Sequence, residues 1–180
     1  TGGKYSSCYL KDKLRLVGEY REIFEKYQQI VSTCVGVHAR LGNGEYERHI
    51  NKHKLQRMRI SPEAFFQAID KYLSDKLFVC TDTPSFLNQC IERYGNRIVY
   101  LDRFMPPEGH GPGHNVWYAL DEQARKNLLK EKIRVGPHHM LGEAVVEMRL
   151  LGECKSLICN ESSFTHYARK CCGSESVLLS

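Results

Sequence analysis

The sequence predicts an α/β domain: a Rossmann-like parallel sheet of about five strands with helices on both faces. Three observations predict it. Short apolar, β-branched runs alternate with longer segments of helical spacing, the pattern of a mostly parallel sheet covered on both sides. Polar residues follow directly where apolar runs stop, at His38-Ala39-Arg40, Thr81-Asp82 and Asn160-Glu161-Ser162-Ser163. In parallel sheets, ligands bind beyond such carboxyl ends. Finally, 180 residues that are 42% hydrophobic and 26% charged suit one folded domain with its own core rather than a disordered chain.

The elements follow in order. Leu14–Ile30 places Leu14, Val17, Ile23, Phe24, Tyr27 and Ile30 at largely helical spacing, so residues 1–32 read as a helical lead-in to a domain over 33–180. Thr33–Arg40 (TCVGVHAR) reads as a buried strand, and Leu41–Ile60 as a polar loop. Ser61-Pro62 is a cap followed by proline at the first helical position, opening a helix over Pro62–Leu73 with Phe65, Phe66, Ile69 and Leu73 on one face. Leu77–Cys80 is the second strand, Ser85–Tyr94 a helix stopped by Gly95, and Arg97–Leu101 (RIVYL) the third strand. A Gly/Pro/His loop over Asp102–Asn115 leads to helical stretches near Val116–Lys132 and over Met140–Leu151. Lys155–Cys159 holds the fourth strand, Phe164–Cys172 a helix, and Val177–Leu179 opens a fifth strand.

Charge and cysteine content narrow the function classes. Lys plus Arg number 26 against 21 Asp plus Glu, a mild and scattered excess of +5 that suits an anionic small ligand as well as nucleic acid, with dedicated nucleic-acid binding not expected. No apolar run approaches the roughly 20 residues of a membrane span, and no signal-peptide pattern opens the sequence at Thr1. Among the eight cysteines, Cys34, Cys80 and Cys159 lie in or beside apolar stretches, where a free thiol acts as a small hydrophobe. Cys154 and Cys159 are five apart and Cys171 adjoins Cys172, and neither is the CxxC spacing of a zinc site. His110 and His114 sit in a Gly/Pro loop without a partnering carboxylate pattern, and His138-His139 would point apart, so no metal site is expected.

The strand ends suggest anion chemistry. Arg40, between a buried strand and Leu41-Gly42-Asn43-Gly44-Glu45, either offers its planar fork to phosphate oxygens or makes a strand-end ion pair. The loop lacks the third glycine and following helix of a dinucleotide fingerprint, which argues against a nicotinamide site. Ser162-Ser163 before a helix supplies hydroxyls and N–H groups to an anion, or simply caps the helix. Asp82 either accepts hydrogen bonds from a ribose or base or caps the helix beyond Pro84. Glu147, on the helix before the fourth strand, faces either solvent or a ligand.

Four segments, Val35–Glu45 (VGVHARLGNGE), Phe78–Asp82 (FVCTD), Gly111–Asn115 (GPGHN) and Gly142–Arg169 (GEAVVEMRLLGECKSLICNESSFTHYAR), together resemble the donor-binding half of the α1,6-fucosyltransferase superfamily. The likeness is greatest to its NodZ-type nodulation members and runs from Val35 to Arg169. It implies the carboxyl-terminal half of a GT-B glycosyltransferase, inverting transfer of fucose from GDP-fucose to a glycan hydroxyl, and no obligatory metal or nucleic-acid partner. The family's diphosphate-binding role passes to Arg40, with His38 lining the same pocket. Glu147 stands where relatives use an Asp to bind guanine. Ser162 and Ser163 match phosphate-contacting serines, and Asp82 the acidic residue after the second strand. Gly42, Asn43, His114, Asn115 and Phe164 lie in the matched segments and complete the expected donor site. Glu45 is the candidate base for the attacking hydroxyl.

Two positions depart from the pattern: Leu41 replaces a second basic residue and Thr83 a second Asp. Only 37 residues precede His38, so an acceptor-binding domain of the kind that precedes this strand in GT-B relatives is not expected within the sequence. A non-catalytic nucleotide-sugar or glycan-binding module, degenerate or split, is therefore the competing expectation. The resemblance implies cytoplasm for a bacterial chain and Golgi lumen for a eukaryotic one.

Overall fold

The structure, a computed structural model, describes residues 15–41, 60–105, 117, 120–131, 137–171 and 176–179. Its elements in chain order are α1 (Glu19–Val31), β1 (Val35–Ala39), α2 (Pro62–Ile69), β2 (Leu77–Thr81) and α3 (Pro84–Tyr94). There follow a 3-10 turn (Gly95–Arg97), β3 (Ile98–Val99), α4 (Glu122–Glu131), α5 (Pro137–Glu153), β4 (Ser156–Asn160), α6 (Ser163–Cys171) and β5 (Ser176–Leu179). The five strands form one sheet in the order β3-β2-β1-β4-β5, and every pair is parallel. This is the expected α/β architecture.

Local chemistry sets the boundaries. Ser61 caps α2 by accepting from the Ala64 N–H, with Pro62 at the first helical position. Gly95 ends α3 at φ 54°, a left-handed conformation that favours glycine. Helix α1 starts later than its apolar spacing suggested, behind Gly18 at φ 55°. Its inward stripe is Tyr20, Ile23, Phe24, Tyr27 and Val31, a clean helical repeat that leaves Val17 and Ile30 exposed. Helix α2 stops at Ile69, so Leu73 does not join its buried face and is 81% exposed.

Strand β3 is also shorter than the apolar run RIVYL. Only Ile98 and Val99 pair with β2, opposite Leu77 and Phe78. Before the strand, the Arg97 guanidinium donates to the carbonyls of Tyr72 and Asp75. Beyond it, Leu101 turns into the core. Among the described residues the upper part of β2 therefore has no strand neighbour on that side, and this shapes the site below.

Alternate residues of each strand enter two cores. Val35, Val37 and Ala39 of β1 face Phe65, Phe66 and Ile69 of α2 and Phe86, Leu87 and Cys90 of α3. Phe78, Cys80, Leu157 and Cys159 face the other way, toward Phe24 and Val31 of α1, Val146, Leu150 and Leu151 of α5 and Ala168 of α6. Burying each large side chain contributes about 1.5–3 kcal/mol, so these two layers supply most of the folding drive. Cys34, Cys80, Cys90, Cys154 and Cys159 are buried free thiols. Among the described residues no helix is long and apolar enough to cross a membrane.

Gly36 lies where β1 passes under α5. A Cβ there would come within 3.0 Å of Cys154 Sγ and 3.1 Å of Leu151 Cδ2 and Leu157 Cδ1. Gly36→Val raises strand propensity yet overfills this layer, and it is expected to destabilise the domain by about 1–3 kcal/mol in urea unfolding. An unchanged midpoint would show that α5 does not press on β1 as described.

Candidate functional site

Strand order determines where a ligand can enter. The chain builds outward from β1 through β2 to β3, then returns to lay β4 and β5 on the opposite side of β1. The carboxyl ends of β1 and β4 therefore flank a topological switch point, where the following segments diverge and leave a crevice. Arg40, Asp82 and the Asn160–Phe164 turn all meet at this edge.

Asn160, the fully buried last residue of β4, organises the edge. Its Oδ1 accepts the Arg40 backbone N–H at 2.9 Å, and its Nδ2 donates to the Arg40 carbonyl at 2.6 Å. One primary amide thus satisfies both backbone groups of the first residue past β1. On the other flank, the Thr81 hydroxyl donates to the Ala39 carbonyl at 2.7 Å and accepts the Thr83 N–H at 3.2 Å. Asp82 Oδ1 accepts from the Leu41 N–H at 3.3 Å and the Thr83 hydroxyl at 3.2 Å, while Oδ2 lies 2.7 Å from Arg40 Nη1. Asp82 thus holds the guanidinium rather than capping α3, whose N-cap is Thr83. The Arg40–Asp82 pair is only partly covered, at 27% and 11% side-chain exposure, so the cation remains within reach of solvent. Part of the Arg40 side chain thus faces solvent, where a guanidinium can also meet an anion.

Helix α6 presents its N-terminus to the same edge. Ser162 Oγ accepts from the Thr165 N–H at 3.1 Å, and Thr165 Oγ1 accepts from the Ser162 N–H at 2.9 Å, a reciprocal capping box. The Ser162 hydroxyl therefore serves the helix cap. Thr165 Oγ1 is also 3.0 Å from the Asn160 carbonyl, which joins this cap to the Asn160 clasp. The first-turn amides and the positive end of the helix dipole favour an anion here. The His38 ring stacks on Phe164 at 5.5 Å between centroids and 20° between planes. Burial, then the neighbouring Arg40 and Arg103 cations, hold its imidazole down to about 3, so it is neutral at physiological pH. Its Nδ1 is buried and has no hydrogen-bond partner among the described residues.

Glu147 and Arg103 form a second charged pair at the β2 end. Arg103 Nε lies 2.7 Å from Glu147 Oε1, Nη2 donates to the Thr81 carbonyl at 2.9 Å and Nη1 to the Phe104 carbonyl at 3.1 Å. Glu147 is thus buried, and burial pushes its carboxyl up while Arg103 opposes the shift. The pair lines a small recess with Thr81, Tyr100, Leu101 and Met105.

The sequence-expected residues His38, Arg40, Asp82, Ser162 and Phe164 converge at the switch point, and Glu147 stands beside them behind Arg103. Ser163 opens α6. Gly42, Asn43, Glu45, His114 and Asn115, with His110, lie outside the described residues. Three further contributors are Asn160, Thr165 and Arg103, the first two inside the matched segment Gly142–Arg169 but without an expected role. Asn160 had one legible signal, a polar residue closing an otherwise apolar strand. The partners of Thr165 and Arg103 depend on contacts that sequence spacing does not reveal.

Two outcomes follow. Asn160→Asp keeps the shape but sets a carboxylate oxygen against the Arg40 carbonyl, and it should cost about 1–3 kcal/mol in denaturant unfolding. Wild-type stability would contradict the clasp. Because the folded-state pKa of His38 is depressed from 6.5 to about 3, the unfolded chain binds the extra proton in between. The stability that neutral His38 contributes is complete above pH 6.5 and declines as pH falls toward 3. His38→Gln should flatten that acid limb, and a His38 ring that titrates near 6.5 by NMR would refute the assignment.

Among known proteins, no family model and no curated protein sequence matches the chain. Solved structures do. Fucosyltransferase NodZ from Bradyrhizobium, as its selenomethionine form, superposes with a TM-score of 0.51 and 18% identity, over 89% of this chain and 44% of that one. NodZ α-1,6-fucosyltransferase co-crystallised with GDP gives 0.49 and 19%, over 86% of this chain and 42% of that one. The same enzyme soaked with GDP-fucose gives 0.47 and 20%, over 87% and 42%. The chain thus spans less than half the length of these proteins, and what it shares with NodZ is the α/β fold of the matched part.

Proposed function

We propose that the chain is the donor-binding part of a glycosyltransferase and holds GDP-fucose at the β1/β4 switch point for inverting transfer of fucose to an oligosaccharide or glycoconjugate hydroxyl. The observation that carries this reading is the convergence of the Arg40 guanidinium and the α6 N-terminus on one edge, joined through Asn160. The NodZ-like fold supports it.

In this reading residues 33–180 form the nucleotide-sugar domain, and a further domain supplies the acceptor site. The diphosphate meets Arg40 and the amides of Ser163 and Phe164. Negative charge grows on the departing GDP as the glycosidic bond breaks, and a fixed cation beside a helix N-terminus stabilises it without reorganising. That is the role a metal ion plays in other transferases, so no obligatory metal is proposed. Asp82 aims Arg40. His38, neutral and backed by Phe164, fills the pocket wall, and Gly42, Asn43, His114 and Asn115 supply the remaining donor contacts. Glu147 reads the guanine N1–H and 2-amino edge. His38 is a weak proton acceptor at neutral pH, so Glu45 is the proposed base for the acceptor hydroxyl.

A second reading is a nucleotide-sugar-binding module that performs no transfer itself. Thr83 favours it: where relatives carry a second acid, its hydroxyl here donates to Asp82. Fucose transfer by the chain to a chitooligosaccharide or an N-glycan core would reject it.

Calorimetry tests the donor site. GDP and GDP-fucose should bind saturably with or without EDTA, and Arg40→Ala should weaken both at least tenfold, about 1.4 kcal/mol. Absence of saturable binding, or equal binding by the variant, would overturn the proposal.

A further inference from the structure

The carboxyl edge is not a strongly cationic surface. Arg40 and Arg103 each stand beside a carboxylate, Asp82 and Glu147, and Glu161 adds a third acid in the turn after β4, while His38 is neutral. An anion therefore meets directed contacts here, the Arg40 fork and the first-turn amides of α6, rather than an excess of positive charge. Asp82 is the acid that touches the Arg40 guanidinium: its side chain is 11% exposed and its Oδ2 lies 2.7 Å from Nη1. That oxygen is buried and receives no well-aligned hydrogen bond among the described residues, so its tie to Arg40 is charge against charge. The other oxygen takes two longer contacts, from the Leu41 N–H at 3.3 Å and the Thr83 hydroxyl at 3.2 Å. The carboxylate is thereby pinned beside Arg40, and an anion on the same guanidinium lies roughly 5–7 Å from it.

We propose that Asp82 sets the charge selectivity of the edge: it shifts binding toward the doubly charged nucleotide sugar and away from the triply charged nucleoside diphosphate that transfer leaves behind. This rests on the donor reading above. When the glycosidic bond breaks, its electron pair stays on the terminal phosphate oxygen, and the acceptor's proton passes to the base. The departing diphosphate thus gains one negative charge, which it keeps at alkaline pH because the second ionisation of a terminal phosphate lies near 6. Arg40 attracts the added charge, and Asp82, only slightly farther away, repels it. At roughly 6 Å one such repulsion weakens binding about threefold in the dielectric of water and about a hundredfold in that of a protein surface. Asp82 gives up part of the help that Arg40 lends the departing group, and the product is held less firmly.

Calorimetry of the full chain with GDP and GDP-fucose tests this through the ratio of the two dissociation constants. The measurement is made at about pH 8 and in EDTA, so that neither protons nor divalent ions mask the phosphate charge. Asp82→Asn keeps the shape and removes the charge, and it should shift the ratio toward GDP by about tenfold relative to wild type. Thr83→Asp adds a carboxylate next to Asp82, at the N-cap of α3 where aspartate is well suited. It should shift the ratio toward GDP-fucose by about threefold, and it decides if the asparagine variant does not fold. An Asp82 that merely aimed Arg40 would change both affinities alike. If the deciding variant keeps the ratio within about twofold of wild type, or moves it the opposite way, the inference fails while the donor reading stands. Wild type that binds GDP alone also overturns the inference, and wild type that binds neither overturns both.

Discussion

The side-chain amide of Asn160 closes on both backbone groups of Arg40 where the central strand gives way to the site. That residue lies beyond the last β1/β4 register pair, His38 opposite Cys159, so its peptide is not secured by the parallel ladder. Left unpaired and buried, such groups cost several kcal/mol between them. Asn160 removes the cost and fixes the direction in which Arg40 leaves the sheet. Through its own carbonyl, Asn160 is also tied to Thr165 and so to the capped N-terminus of α6. The two features suited to an anion, a guanidinium and a helix end, are thereby held in one frame by a single buried residue.

The electrostatics of the edge follow from this frame. Two arginines approach it, each matched by a carboxylate: Arg40 by Asp82 and Arg103 by Glu147. The pairs differ in burial, and that separates their roles. Arg40 remains partly exposed and can share its donors with an incoming anion. Arg103 is somewhat less exposed, at 18% of its side chain, and directs its donors to the chain itself. Between them His38 stays uncharged, because burial and two nearby cations disfavour a third positive charge.

Much of this was legible in the sequence. The alternation of apolar runs with helical spacing predicted the five strands and the helices on both faces, since buried parallel strands and amphipathic helices differ in period. The polar strand ends pointed to the carboxyl edge, and His38, Arg40, Asp82, Ser162 and Phe164 do meet there. What failed was length. RIVYL reads as a five-residue strand, yet pairing stops at Val99 because the chain turns Leu101 into the core and leaves β2 to Arg103. Leu73 and Ile30 were expected on buried faces and are exposed, because helix α2 ends before one and the stripe of α1 bypasses the other. The Arg103–Glu147 pair spans 44 residues and the Asn160–Arg40 clasp 120, separations over which single-sequence patterns say nothing about contact.

The most direct measurement is a crystal structure of the chain grown with GDP. The expected result is a diphosphate against the Arg40 guanidinium and the first-turn amides of α6, with the Asn160 clasp intact. A nucleotide seated away from the β1/β4 switch point, or an Arg40 still committed to Asp82 with no phosphate contact, would contradict it.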